Sequence, residues 1–394
     1  MSSRLVRFNR LLSFELPQGQ SAFLWGARKT GKSTYLKEKY PNSIRYDLLL
    51  SDEYLRLLNS PHLLREEILA LPSEAFNEPI IIDEVQKIPL LLDEIHWLIE
   101  NTPARFILCG SSARKLKHGA ANLLGGRAWR FTFYPLVSAE IPEFNLLHAL
   151  QNGLVPSHYI ASNAERSLRA YVKDYLKEEI QAEGLTRNLR AFSRFLDSVP
   201  FSNGEIVNYS NIARDCAIDA KTVKEYYQIL EDTLIGYFVY PFSKKRKREI
   251  IQATPKFYLF DVGVANFLSK RKIEVLKGIE AGHAFEHFIL MELMAYKGIK
   301  EKDFELTFWR TKTKLEVDFI LGDAEVAIEV KISEQIDKKD INGLIAFQEE
   351  HNPKLALVVC LAPRPRKIKT TEDKDITILP YQTFLEQLWN GKII

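Results

Sequence analysis

The stretch FLWGARKTGKSTYL, residues 23–36, decides how the first third of this chain must fold. From Gly26 to Ser33 it satisfies G-x-x-x-x-G-K-[ST] in full. SAFLWG before it is a short apolar run suited to a buried strand, and KSTYLKEKY after it reads as a helix stopped by Pro41. That strand–loop–helix context is what the motif needs. The glycines let backbone N–H groups curl around a phosphate, and the helix N-terminus adds its positive dipole end. The cofactor-binding residues expected here are Gly26, Ala27, Arg28, Lys29, Thr30, Gly31, Lys32, Ser33 and Thr34. Lys32 would reach the β- and γ-phosphates and Ser33 would ligate magnesium, so ATP and Mg²⁺ are the expected cofactors. The competing reading, a chance match on a glycine turn, is weakened by the flanking elements.

Two further apolar runs end in polar residues of the right kind. PIIIDEVQK, residues 79–87, resembles a Walker B strand. Asp83 would then hold the magnesium and Glu84 would polarise an attacking water, which suffices for a reaction that needs mainly positioning and charge neutralisation. ARFILCGSSARKL, residues 104–116, ends in Gly110-Ser111-Ser112 at what should be the C-terminal edge of a sheet, where ligands of open α/β sheets gather. Ser111 would sense the γ-phosphate, and the bland alternative is that Ser111 or Ser112 caps the next helix.

In order, GARKTGKST, IIIDEVQK, FILCGSSARKL and GGRAWRFTFYPLVSAEI resemble a family of prokaryotic AAA-type P-loop ATPases. Members carry a winged helix and then a restriction-endonuclease-like domain behind the ATPase core. The resemblance implies that Arg127, in the Gly126-Arg127 pair before the last core strand, touches a γ-phosphate in cis or from a neighbour. A plain surface cation is the alternative. FYPLVSAEI, residues 133–141, matches the family's closing segment of the core.

The bulk numbers fit this picture. At 394 residues the chain is too long for one ordinary core, and with 46% hydrophobic and 27% charged residues it has ample material for several. From a net charge of +3 a whole-protein field for nucleic acid does not follow, although a local basic patch could still do that work. Cys109, Cys216 and Cys360 lie far apart without metal-ligand spacing, so disulfides and a structural zinc site are not expected. No stretch reaches the length of a membrane span and the start lacks a long apolar region, which gives the expectation of a cytoplasmic protein with no membrane partner.

Residues 145–200 read as helical, and the segment YVKDYLKEEI is similar to one that links the family's ATPase to its downstream domains. SNIARDCAIDAKTVKEYYQILED reads as a helix, a turn at CAID and a second helix from about Asp219, a helix-turn-helix pattern. The continuation to KFYLFD would form a wing whose tip, Lys244-Lys245-Arg246-Lys247-Arg248, is the densest basic run of the chain. Five like charges suit phosphate contacts that specify no sequence, so DNA is a candidate partner. A solvated hairpin tip and a winged helix that binds protein are the alternatives. Asp261, ending FYLFD, reads as a turn into a helix.

The C-terminal part carries a second constellation. GHAFEHFILMEL places Glu286 on a helix, LEVDFIL places Asp318 in an apolar strand, and EVAIEVKIS places Glu329 and Lys331 in the next. Glu329 and Lys331 are two apart and share a strand face, and a hairpin through LGDAE brings Asp318 beside them. Asp318 and Glu329 would hold magnesium, Glu286 would add an oxygen, and Lys331 would stand by the attacking water. The pattern resembles the PD-(D/E)XK nuclease fold, with LEVD standing where many nucleases have Pro-Asp. The alternatives are a Glu329–Lys331 or Asp318–Lys331 salt bridge and a scaffold that does not cut. After residue 340 the chain reads as helix, strand, strand and helix, with PRPRKIKTTEDKD as an exposed loop.

The fold class expected is therefore α/β: a P-loop NTPase with a parallel sheet, a helical linker plus winged helix, and a C-terminal α/β restriction-endonuclease-like domain. The boundaries expected are 1–142, 143–200, 201–258 and 259–394. The function expected is Mg-dependent ATP hydrolysis coupled to conformational change on nucleic acid, with a possible nuclease site. Its rivals are an ATP-controlled switch acting through protein partners and a nucleotide-binding scaffold that never turns over. Oligomer formation stays open, since an arginine acting in trans needs a neighbour.

Overall fold

The computed structural model describes residues 7–112, 124–172, 188–243, 254–370 and 374–394. The YVKDYLKEEI segment from residue 173 and the basic run Lys244–Arg248 lie outside the described residues. The chain divides into two compact units, one of Arg10–Pro135 with Ile229–Ile235, the other of Met1–Asn9, Leu136–Gln228 and Gly236–Ile394.

The first unit is built on strands β1 (Ser21–Trp25), β2 (Arg45–Asp47), β3 (Ile80–Asp83), β4 (Phe106–Gly110) and β5 (Ala128–Thr132). They pair in parallel in the order β2-β3-β4-β1-β5. The apolar runs are continuous because both faces of a parallel sheet are covered. Alternate residues divide between two cores. Phe23, Trp25, Ile80, Ile82, Phe106 and Leu108 pack with the helix Leu91–Asn101 and its neighbours, while Ala22, Leu24, Ile81, Ile107 and Cys109 pack with Tyr35 and Leu36 of the helix Lys32–Lys39 and with Leu12, Phe14 and Leu16. The buried Ser21 hydroxyl accepts the N–H of Phe106 at 2.9 Å, which leaves no polar gap at the start of β1.

The second unit carries an eight-stranded sheet ordered β12-β13-β11-β10-β9-β8-β6-β7. Its strands are β6 (Gly236–Pro241), β7 (Lys256–Leu259), β8 (Leu306–Arg310), β9 (Glu316–Leu321), β10 (Val326–Lys331), β11 (Leu355–Cys360), β12 (Arg366–Lys369) and β13 (Asp375–Pro380). One face is covered by the helix Ile279–Ile299 through Phe285, Phe288, Ile289 and Leu293, the other by Leu344 and Phe347 of the helix Asn342–His351. Ahead of the sheet come short helices whose starts are fixed by side-chain caps. Asn145, Asn163, Asn188 and Asn208 each accept a backbone N–H three residues on, as Asp261 does for Val264. Asp261 also takes the N–H of Leu154 at 2.6 Å, so it is a helix cap and a brace, as its sequence context suggested.

The helices Tyr209–Cys216 and Ala220–Asp232 lead into the antiparallel hairpin β6–β7. That hairpin is not a separate layer: β6 pairs in parallel with β8, and the boundary drawn after residue 258 falls inside β7. The span read as an exposed loop after Pro363 contains β12, antiparallel to β13. Its residues are mostly exposed and its lysines line the sheet edge, a composition that blunts an edge strand while reading as loop in sequence.

Candidate functional site

In the first unit the parallel order delivers the ends of β1, β3 and β4 to one edge. The loop after β1 turns through Lys29, at φ 62°, and Gly31, at φ 99°, into the helix starting at Lys32. Gly26 is required by close packing, since a Cβ there would lie 2.4 Å from the carbonyl oxygen of Phe133. Lys32 folds its ammonium back over the loop, donating to the carbonyls of Gly26 at 2.6 Å and Ala27 at 3.2 Å. Thr30 ties the same loop by donating its hydroxyl to Ala27 O at 2.8 Å. Ser33 and Thr34 are exposed on the first turn of the helix, whose N–H groups have no partner within the helix.

Across the edge, Ser33 Oγ donates to Asp83 Oδ2 at 2.8 Å, so the two expected magnesium ligands stand side by side. Glu84 is buried with a left-handed backbone, φ 59°, an uncommon state for a residue with a Cβ that points to a functional constraint. Gln86 Nε2 donates to Glu84 Oε2 at 2.5 Å and also lies 3.3 Å from Ser111 Oγ. Arg28 Nε stands 3.9 Å from Glu84 Oε1. Gln86 thus joins the β3 and β4 ends, and its Oε1 is buried without a hydrogen-bond partner. Gly110 makes room for it, because a Cβ there would lie 2.2 Å from Gln86 Oε1. The helix that Ser111 or Ser112 would cap lies outside the described residues, which resume at Leu124.

Sequence reading passed over Gln86 and also Arg10. Arg10 donates to Thr30 O at 2.7 Å and Tyr134 O at 2.7 Å while its guanidinium lies 4.1 Å from the Phe133 ring centroid. An arginine far upstream therefore braces the loop. In sequence it is one of three arginines spaced three apart, Arg4, Arg7 and Arg10, and nothing local sets it off from the others.

Arg127 is placed differently from the rest. Ser21, the first residue of β1, pairs with Ala128, the first of β5, and Ser21 N donates to Arg127 O at 2.9 Å. Arg127 therefore stands at the opposite end of β1 from the loop, ion-paired with Glu100 on the surface. Five strand residues at about 3.3 Å each separate it from Gly26, so a γ-phosphate contact in cis is ruled out within this chain.

In the second unit the β9–β10 hairpin pairs Val326 with Leu321 and Ile328 with Phe319. Continuing that register brings Asp318 opposite Glu329, and Val330 N donates to Asp318 Oδ2 at 2.8 Å. Lys331 Nζ is hydrogen-bonded to Glu329 Oε1, while Glu329 Oε2 is buried without a partner. Glu286 is held by residues the sequence did not suggest. Its Oε1 accepts from Tyr258 Oη at 2.6 Å and from Lys256 Nζ at 3.3 Å, and Lys256 reaches Glu316 Oε1 at 2.6 Å.

Electrostatics divide these carboxyls. Burial, then the charges of Glu329 and Glu286, hold Asp318 well above the usual carboxylate range. Burial likewise pushes Glu329 to about 7 against the pull of Lys331. For Glu286 the burial penalty is overcome by Lys256 and the Tyr258 hydrogen bond, and its pKa is lowered. Among the described residues no three His, Cys, Asp or Glu side chains stand together as a cation cage. Asp318 and Glu329 remain as a facing pair, with Glu286 drawn away to Lys256.

Residues 18–142 match the model of the AAA domain, residues 144–274 a domain of unknown function (DUF8612), and residues 281–384 a domain of unknown function (DUF4143). No curated protein matches the chain. Among solved structures, the Aeropyrum pernix ORC1 protein in complex with DNA is 14% identical, at a TM-score of 0.25, covering 65% of this chain and 87% of its own. A signal transduction ATPase with numerous domains and a tetratricopeptide repeat sensor from Pyrococcus horikoshii is 12% identical, at a TM-score of 0.19, over 70% of this chain and 43% of its own. No functional reading rests on either likeness. None of the described helices is long and apolar enough to cross a membrane. The stretch similar to the AAA domain, residues 18–142, is the one that holds the phosphate loop, the Ser33–Asp83 pair and Glu84, so similarity and geometry agree on a P-loop ATPase-like N-terminal part.

Proposed function

We propose that the chain is a Mg²⁺-dependent ATPase whose turnover rearranges its helix-turn-helix hairpin and C-terminal domain on a nucleic acid. The observation that carries the first half is the convergence of Lys32, the Ser33–Asp83 pair and the Glu84–Gln86–Ser111 chain on one sheet edge. A magnesium ion bound with the nucleotide would neutralise charge on the β- and γ-phosphates. Ser33 and Asp83 would hold that ion, for which their adjacent oxygens are suited. Lys32 exchanges its two loop carbonyls for phosphate oxygens, and Glu84, oriented by Gln86, positions the attacking water. Ser111 lies close enough to Gln86 to report on the occupant. Arg127 acts, in this reading, only on a neighbouring copy.

For the C-terminal domain we read a divalent-cation site at Asp318 and Glu329, with Lys331 beside it. The unpartnered buried Glu329 Oε2 supports the fit, since an oxygen left without donors inside a domain is costly unless something binds it. The divisions 1–142 and 143–200 belong to this proposal, with the third moved past the end of β7 at Leu259, as do the winged-helix and PD-(D/E)XK identities, DNA contact through Lys244–Arg248 and a cytoplasmic setting. A second reading, a switch acting on protein partners with a domain that does not cut, draws on the ion pairs that already engage Glu286 and Glu329.

The test is phosphate release by the purified protein with Mg²⁺, with and without single- and double-stranded DNA, beside Lys32→Ala. DNA-stimulated turnover that the variant abolishes is the expected result. Turnover indifferent to DNA would favour the protein switch, and no turnover at all would sink the ATPase.

A further inference from the structure

On one face of the C-terminal sheet, Glu316, Asp318 and Glu329 of its strands and Glu286 of the covering helix interact with one another and with Lys256 and Lys331. Lys256 is the most deeply buried of these cations, its side chain only 5% exposed, and it sits between Glu286 at 3.3 Å and Glu316 at 2.6 Å. A buried ammonium without such partners would cost several kcal/mol, so its position is set by the two carboxylates. Tyr258, two residues further along β7 and so on the same strand face, donates to the same Glu286 oxygen. Asp318 and Glu329 differ: one takes a backbone N–H and the other keeps a buried oxygen with no donor.

We propose that Lys256 is a built-in counter-ion that fills the place of a second divalent cation, so that this domain binds one divalent ion, at Asp318 and Glu329, with Glu286 held out of its coordination. The inference rests on the divalent-cation reading of that pair given above. The charges support a single ion. The four carboxylates face Lys256, Lys331 and Arg310, whose Nη1 is 3.4 Å from Glu316, which leaves one negative charge in excess when all are ionised. One divalent ion turns that into one positive charge, matched to a single phosphodiester. A second ion would stand against the Lys256 ammonium in a site of low dielectric, where like charges repel strongly.

Mn²⁺ binding to the nucleotide-free full-length protein, counted by the electron paramagnetic resonance of free Mn²⁺, tests this directly. The wild type should bind one ion that Asp318→Asn removes, and Lys256→Met should bind two. Mn²⁺ should raise the Tm of Lys256→Met by more than it raises that of the wild type, and Lys256→Arg should stay at one ion. The double variant Lys256→Met/Glu286→Gln should return to one. Where the methionine variant does not fold, Lys256→Gln, which keeps hydrogen bonding, takes its place with the same expectation. Two Asp318-dependent ions in the wild type, or one ion and an unchanged Tm shift in the Lys256 variants, overturn the counter-ion while leaving the metal site standing. No ion in either protein removes the metal reading and this inference with it.

Discussion

The two candidate sites are built by opposite strategies. In the P-loop domain the functional groups come from loops at the end of a parallel sheet, held by backbone hydrogen bonds and one glutamine, with Ser33 and Thr34 exposed. In the C-terminal domain they come from the interior of strands and a helix, and buried carboxylates are held in check by the buried Lys256 and the half-buried Lys331. The first arrangement leaves its groups free to change partners when a nucleotide arrives. The second stores charge in the fold itself, so its chemistry is tied to stability and to protonation.

That contrast can be broken at several points. The largest effect is expected from Lys32→Ala, which should lower phosphate release by roughly 10²–10³-fold with no loss of fold, measured by a coupled phosphate assay beside circular dichroism. Glu84→Gln should cost about 10²-fold in turnover while ATP stays bound, read by filter retention of labelled nucleotide. If both variants release phosphate at the wild-type rate, the loop site is not the engine.

The buried groups of the second unit should instead show themselves through pH. His287 is fully enclosed, its Nε2 2.6 Å from the carbonyl of Leu259 and its Nδ1 3.3 Å from the Asn203 amide, and burial drives its pKa down to about 4. The unfolded chain therefore binds the extra proton first as pH falls. The stability that His287 contributes is whole above about 6.5 and is lost towards pH 4, up to roughly 3 kcal/mol. Urea midpoints across that range should fall more steeply for the wild type than for His287→Gln, and parallel curves would contradict the assignment.

Gly110→Ala should be felt next. Its Cβ would meet Gln86 Oε1 at 2.2 Å and Trp25 at 2.6 Å, so either the relay or the core must move, at about 1–3 kcal/mol. A variant with wild-type Tm and turnover would show that Gln86 is dispensable. The mildest effect concerns Mn²⁺ at Asp318 and Glu329. Because burial holds the protons of both Asp318 and Glu329 above the usual carboxylate range, binding must expel them, and affinity should rise by about tenfold or more per pH unit as pH climbs towards 7. A flat profile would separate the ion from these carboxyls.

How much of this could be read from residues alone depends on the range over which each interaction acts. Lys32, Ser33, Asp83 and Glu84 declare themselves because a phosphate loop and the end of a buried strand are local patterns. Glu329 and Lys331 declare themselves because period two fixes their shared face. Gln86 was quoted within its motif and still missed, since its role depends on Ser111 twenty-five positions away across the sheet. Nothing in the sequence singles out Lys256, and only the pairing of β6 with β8 carries its strand into the sheet beside Glu316. Arg127 shows the reverse case: its motif is local, but the register of β1 on β5 puts it at the far end of the strand, which leaves only the neighbouring-copy half of the expectation.

Local spacing and the two faces of a strand sufficed for the phosphate loop with its acidic partners and for the shared face of Glu329 and Lys331. Which carboxylates meet which lysines, the Gln86 bridge between two strand ends and the distance of Arg127 from the loop of its own chain came from how the strands assemble. Those outcomes depend on strand order and register, and a shift of one residue in pairing would turn every one of those side chains to the other face.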